Sequence, residues 1–338
     1  MSDLKSIEVL VDEELEKRLL LGVKTILYVG IRYDYGHPEW GLSYEHYNFY
    51  QTFLNMGYSL IYFDYDRLYC KYGNEKISKI LLEAVYYYQP DILFYFNFHD
   101  WIKHEVWKEI SNKTATKTII WSTDDYRRYD ETKSIWELFN LIITTDKESY
   151  NKRKIKGYDV KLSQWACGYY FTSEWSRQNL SLNIPKIYDV NFVGRCYGER
   201  EEFIETLRKH KIKIATFGPG WKGENNRKFS QMEFINIFRQ SKIVLNTSHS
   251  IDGLYTIKGR DFEAPGCGSL LLTKNSDEIR EYFIPGKEIV TYKDVDDAAE
   301  KIKFYLKNDI EREKIAENGY KRVLKDHTYE KRFEEFLK

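Results

Sequence analysis

The feature that most constrains this chain is a rhythm. Short, uniformly apolar runs recur about every 30 residues, the length of one strand–helix–strand unit, with helical periodicity between them. The first six are KTILYVG (24–30), YSLIYFD (58–64), DILFYFN (91–97), KTIIWS (117–122), LIITT (141–145) and VKLSQW (160–165). After a break come KIYDVNFVG (186–194), KIKIATFG (211–218), KIVLNTS (242–248), SLLLT (269–273) and EIVTY (288–292). Runs this apolar suit strands covered on both faces, and such parallel strands need helical, right-handed crossovers. Helices are expected over 3–20, 42–56 (closed by Gly57), 74–88, 100–111, 131–138 and 146–156, and again over 199–210, 230–240, 258–265, 277–282, 294–307, 309–324 and 329–337. The reading is α/β, with two Rossmann-like domains whose strands' carboxyl ends face a central cleft, the place where open α/β sheets take ligands. The boundaries are 1–170 for the first domain, a linker at 171–186, a second domain at 187–326, and a closing segment at 327–338.

Length agrees: 338 residues is about two domains of ~150. Lys+Arg and Asp+Glu are both 52, so the basic excess of a nucleic-acid binder is missing and none is expected as a partner. Cys70, Cys167, Cys196 and Cys267 show no metal or disulfide spacing and read as reduced thiols. The acidic, amphipathic N-terminus has no signal-peptide core, and no run approaches the ~20 apolar residues of a transmembrane span. A cytoplasmic protein is expected. Aromatic residues reach 17%, which fits either core material or stacking surfaces for rings.

Three clusters carry possible chemistry. In IKGRDFEAPGCGSLLLT (257–273), Lys258, Gly259 and Arg260 open a helix and Glu263 follows one turn on. Free amides and two cations there suit a diphosphate, and Glu263 suits ribose hydroxyls. The plain alternative is an Arg–Glu pair on a helix surface. In FVGRCYGERE (192–201), Arg195 follows a strand-ending Gly194, again suiting an anion. In FGPGW (217–221), Gly218 and Trp221 offer backbone and an aromatic plane to a base, or form a simple turn. No Walker A loop or G-x-S-x-G elbow occurs.

Read in order, GRDFEAPGCGSLLLT, EIREYFIPGKEIVTY and IAENGYKRVLKDHTYEKR resemble the C-terminal half of the retaining GT-B glycosyltransferases of family four, in the branch of CgeB-type spore-maturation proteins and glycosyl transferases group 1. NFVGR, FGPGW and VLNTS fit the same order, so the likeness covers about 190–332. It implies a GT-B fold whose C-terminal helix crosses back to the first domain, and transfer of a sugar with retention from a nucleotide-diphosphate donor, UDP- or GDP-type. Carried over, Glu263 holds the donor ribose, and Arg195, Lys258 and Arg260 face the diphosphate. The wider family's earlier glutamate is replaced here by Tyr255, with Asp252 and Gly253 in the same loop. In the first half, His99 resembles the family's histidine near the donor sugar; read plainly it is a loop histidine.

In WSTDDYRR, Asp124 and Asp125 follow a strand and suit orienting an acceptor hydroxyl, or capping a helix. The long loop GIRYDYGHPEWG (30–41) offers Gly36, His37 and Trp40 for acceptor binding, and the family's first loops approach the diphosphate through such glycines as Gly36. Asp64-x-Asp66 has the form of a metal-binding pair, but the surroundings are not those of a metal-dependent transferase, so no metal and no cofactor is expected. The function expected is a retaining glycosyltransferase acting on a small-molecule, glycan or protein acceptor. The alternatives are a nucleotide-sugar 2-epimerase and a non-catalytic nucleotide-sugar-binding protein.

Overall fold

The computed structural model describes residues 10–11, 22–172, 184–223, 225–248 and 253–337. They fall into two compact units, Met1–Gln164 and Trp165–Lys338, each built on its own sheet.

The first sheet contains β1 (Leu10–Val11), β2 (Thr25–Gly30), β3 (Ser59–Asp64), β4 (Ile92–Asn97), β5 (Lys117–Ser122), β6 (Leu141–Thr144) and β7 (Val160–Leu162). Their order is β1-β3-β2-β4-β5-β6-β7. All pairings from β2 to β7 are parallel; β1 lies antiparallel to β3, with Leu10 opposite Tyr62. The helix expected over 3–20 is therefore wrong at Leu10 and Val11, and its other residues lie outside the described ones. A two-residue extension on this edge pairs backbone groups of β3 that would otherwise lack partners, which outweighs a helical pattern.

Every residue of β2, β3 and β4 is buried, as their unbroken apolar runs require. Much of the aromatic surplus is core: Trp107, Trp121, Trp136, Tyr28, Tyr62, Tyr65 and Tyr95 are fully enclosed. Helix Tyr65–Tyr88 starts directly after β3 and is broken at Gly73, whose φ of 72° admits glycine readily. Its first turns bury Tyr65 and Leu68, which the expected helix at 74–88 left out. Helix Asp125–Trp136 likewise begins earlier than the expected 131.

The second sheet holds β8 (Tyr188–Val193), β9 (Ile214–Phe217), β10 (Ser241–Asn246), β11 (Leu270–Lys274) and β12 (Val290–Tyr292), in the order β12-β11-β10-β8-β9, all parallel. Helix Gln231–Arg239 opens on a reciprocal box in which Ser230 and Glu233 satisfy each other's backbone amides. The closing helix Tyr329–Glu334 is anchored within this unit: the Cys167 amide donates to the His327 carbonyl at 2.9 Å, and the Tyr329 amide to the Cys167 carbonyl at 3.2 Å. Of the expected linker, residues 173–183 lie outside the described ones.

Both sheets share one topology. The chain lays its second parallel strand on one side of the first and its third on the other, so direction reverses between β2 and β4 in the first unit and between β8 and β10 in the second. Connections leaving two such neighbours diverge, and the crevice they leave at the carboxyl ends is the ligand position of doubly wound sheets.

Candidate functional site: paired guanidiniums at a topological switch point

At the switch point of the second unit, β8 ends in Val193-Gly194-Arg195 and β10 in Asn246, followed by Thr247 and Ser248. The turns after β8 and β9 are zipped together. Gly194 N–H donates to Phe217 O at 2.8 Å, Cys196 N–H to Pro219 O at 2.8 Å, and Trp221 Nε1 to Gly194 O at 2.7 Å. Gly194 (φ 142°) and Gly218 (φ 128°) are glycines for steric reasons as well. A Cβ on Gly218 would lie 2.6 Å from Gly194 O, and one on Gly194 would lie 2.5 Å from Arg260 Nη1. The Arg260 guanidinium thus rests directly on the Gly194 backbone.

A second guanidinium stands beside it, and sequence reasoning missed it. Arg200, the first residue of helix Arg200–Lys209, is buried; it donates from Nη1 to Arg195 O at 2.8 Å and from Nε to Thr247 Oγ1 at 3.3 Å, so it bridges the diverging ends of β8 and β10. Both guanidiniums flank the Phe192 ring, at 5.4 and 5.9 Å. Burial, and then the like charge of Arg260, pull the Arg200 pKa down to about 10, which leaves it cationic at neutral pH. Its arginine in GERE was a visible signal, but only the fold shows that it turns inward. Arg195 contributes its carbonyl to this arrangement, and its own residue is exposed.

Asp261, next to Arg260, organises the rest. It is fully buried and accepts from Asn246 Nδ2 (2.7 Å), Ser248 Oγ (3.0 Å), Thr273 Oγ1 (2.8 Å) and the Lys258 amide (2.9 Å), tying the ends of β10 and β11 to the Lys258–Arg260 turn. The helix itself runs Arg260–Gly266, with Gly259 at its N-cap. The amides of Asp261, Phe262 and Glu263 donate to Lys258 and Gly259 carbonyls, so its first turn is closed on itself. Cationic side chains, rather than free helix amides, set the charge of this site. Lys258 and Gly259 are half-buried at its edge.

Glu263 is 6% exposed, and among the described residues its Oε1 has no hydrogen-bond partner. Burial raises its pKa to about 7, with Arg260 pulling the other way. A buried carboxylate oxygen without a donor, one helical turn from Arg260, is ready for hydroxyl donors. Tyr255 packs into the apolar cluster around Phe262 and Ile257, where burial raises its phenol pKa. Gly253 is exposed, and Asp252 lies outside the described residues.

Three expectations are corrected. Trp221 does not offer its plane to a ligand: it is 4% exposed, edge-on to Phe192 at 5.5 Å, and holds up the Gly194 turn. Asp125 is not at a rim. Its carboxylate is enclosed, bidentate with Arg153 at 2.6 and 2.9 Å, and accepts from Ser122 Oγ and Thr144 Oγ1 at 2.5 Å each. Gly36 (φ 77°) abuts an acid instead of an anion cradle, since a Cβ there would overlap Asp66 Oδ2.

His99 does lie at a carboxyl end, just past β4 at the first unit's switch point. Its backbone is pinned on both sides: the amide donates to Tyr65 Oη at 3.0 Å, and the carbonyl accepts from Tyr95 Oη. The ring stacks on Trp101 at 4.0 Å and 7°. Burial and the Arg128 charge lower its pKa, so the ring is neutral at pH 7 and presents both a donor and an acceptor nitrogen. Asp64 accepts from the Arg32 amide at 3.2 Å and faces Arg67 at 3.8 Å. Among the described residues no cluster of three or more His, Cys, Asp or Glu has metal-binding geometry, and no helix is long and apolar enough to cross a membrane.

Two sheets of this topology in one chain are the arrangement of the GT-B fold. Among solved structures the chain is similar to sucrose-phosphate synthase from Thermosynechococcus elongatus (10% identity, TM-score 0.59, covering 91% of this chain and 96% of that one) and to Alr3699/HepE from Anabaena, solved with UDP and glucose (13%, TM-score 0.60, 92% and 98%). It is also similar to a putative UDP-N-acetylglucosamine 2-epimerase from Listeria monocytogenes (10%, TM-score 0.54, 92% and 93%). Residues 199–338 match the family model described as glycosyl transferase-like, which bears out the resemblance read from GRDFE and the segments after it. Comparison by sequence with curated proteins returned no significant match.

Proposed function

We propose that this protein is a retaining glycosyltransferase that binds a UDP-type sugar donor at the switch point of its second unit. The observation that carries the reading is the Arg200–Arg260 pair. Two guanidiniums held against each other's charge, one of them buried, are stabilised by an anion between or above them, and a diphosphate matches their planar, bidentate donors. Breaking the anomeric bond leaves negative charge on that diphosphate, and donors fixed before reaction stabilise it without reorganisation. Arg195 and Lys258 add charge at the edge, and Glu263 receives ribose hydroxyls. No metal takes part, because the guanidiniums supply the charge a divalent ion would. HepE, similar in fold, was solved with UDP-glucose, which supports UDP as the nucleotide.

The test is calorimetric titration with UDP, followed by NMR of the anomeric proton after incubation with UDP-glucose and candidate acceptors. Arg200→Lys and Arg260→Lys keep the charge and remove the fork; each is expected to weaken UDP by about 1.5–3 kcal/mol, roughly 10- to 100-fold. Retention appears as an α-linked product from an α-linked donor, unchanged by EDTA. Unaltered UDP affinity in both variants removes the donor site from this position. A C2 epimer formed without acceptor establishes the epimerase reading that the Listeria neighbour favours.

A further inference from the structure

The carboxyl-end rim of the first unit carries a feature that the donor site does not use: a continuous ladder of rings. His37 stacks on Trp40 (4.0 Å, 27°), and Trp40 meets Tyr35 edge to face (6.4 Å, 74°). Tyr35 meets Phe98 (5.5 Å, 74°), Phe98 meets His99 (4.6 Å, 83°), His99 stacks on Trp101 (4.0 Å, 7°), and Trp101 on Tyr69 (4.0 Å, 14°). The ladder joins the loop after β2 to the loop after β4, the two strands that flank this unit's switch point. Its inner rungs are half-buried supports, whereas Tyr35 and Trp40 at its outer end are 58% and 39% exposed.

The outer end is built, not frayed. The loop closes on itself through Asp34 N–H to Gly41 O (3.0 Å) and Ser43 N–H to Arg32 O (2.9 Å), with Ser43 Oγ donating to Ile31 O at 2.7 Å. Tyr35 is held at φ 51°, ψ 30°, a left-handed conformation that costs a non-glycine residue roughly 1–2 kcal/mol. Strain kept in a hydrogen-bonded loop, with the effect of presenting a large ring to water, marks a ligand clamp.

We propose that this rim is a saccharide-binding platform, with the faces of Tyr35 and Trp40 receiving sugar rings of the acceptor. The proposal rests on the transferase reading and names its acceptor class. An aromatic face is electronegative, and a pyranose face presents a patch of weakly positive C–H bonds that complements it. Sugar hydroxyls leave the ring sideways, toward the polar side chains of His37 and Glu39, which are 50% and 65% exposed, and toward Asp34. Acids at this rim repel a polyanion, and the charged residues between the rings break up any surface an acyl chain would need.

The experiment uses the full chain with cellohexaose, maltohexaose and chitohexaose, followed by tryptophan fluorescence and saturation-transfer NMR, with UDP affinity measured separately. Tyr35→Gly removes the ring while relieving the left-handed backbone, so it guards against misfolding; Trp40→Ala removes the second ring and Trp40→Phe keeps an aromatic face. At least one oligosaccharide is expected to bind, about tenfold more weakly in Tyr35→Gly and Trp40→Ala, with Trp40→Phe recovering part of the loss. Absence of binding by all three sugars overturns the platform, as does binding indifferent to both rings, or a preference for phosphatidylglycerol vesicles. Ring-dependent sugar binding without any UDP affinity upholds the platform and sinks the donor reading instead.

Discussion

Glu263 and Asp125 show how differently two buried carboxylates behave. Glu263 titrates near 7 when folded against an ordinary 4.5. Between those values the folded protein holds a proton that the unfolded chain has released. Stability from this group is therefore complete below pH 4.5 and is lost as pH rises through 7, by about 3 kcal/mol. Glu263→Gln removes that penalty. Its melting temperature is expected to exceed the parent's at pH 8 and to fall less between pH 5 and 8; parallel melting curves over that range contradict the assignment. Asp125 has a guanidinium partner on the spot. Asp125→Ala strands the Arg153 charge in the interior and is expected to cost about 3–5 kcal/mol in urea unfolding, with UDP affinity unchanged. Asp125→Leu with Arg153→Met together recover most of the loss. Equal loss of UDP binding in Asp125→Ala would restore this residue to the site.

At the scale of elements, the site depends on turns after strands that approach without room for a Cβ. Both glycines lie at positive φ, so either alanine strains the backbone; Gly194→Ala in addition meets the tip of the Arg260 side chain, which can swing away, so its further loss falls on UDP affinity. Gly218→Ala meets the Gly194 carbonyl, which cannot, so stability falls first. Melting temperatures and UDP titrations of the two variants are expected to rank oppositely; the same ranking in both would mean that the glycines only relieve backbone strain. Strands were the legible elements, because β2, β3 and β4 are buried on both faces and show it as unbroken apolar runs. Helix starts were less so. The turns at 65–72 and 125–130 are helical because Tyr65, Leu68 and Asp125 find partners in the interior, and local periodicity records nothing of those partners. Leu10 and Val11 fail for the same reason: an open strand edge recruited them.

For the whole molecule, the proposed donor site lies within the second unit. Hydrogen exchange with saturating UDP is expected to slow most at 193–200, 217–221, 246–248 and 257–263, all in the second unit. Protection strongest at 31–41 instead would assign the nucleotide to the first unit's rim. Alternating buried runs and helical spacers were enough to specify two doubly wound sheets, because a parallel strand has few ways to be covered and one hand of crossover. The order of motifs from Arg195 to Glu263 likewise pointed to one end of the second sheet, since strand-end residues share that end whatever their neighbours. Which side chains meet there was decided by tertiary structure alone. Arg200 lies beside Arg260 across 60 residues of chain, Trp221 turned under Gly194, and Asp125 found Arg153 28 residues away. A charge's or ring's burial depends on what distant segments bring to it, and no local pattern encodes that.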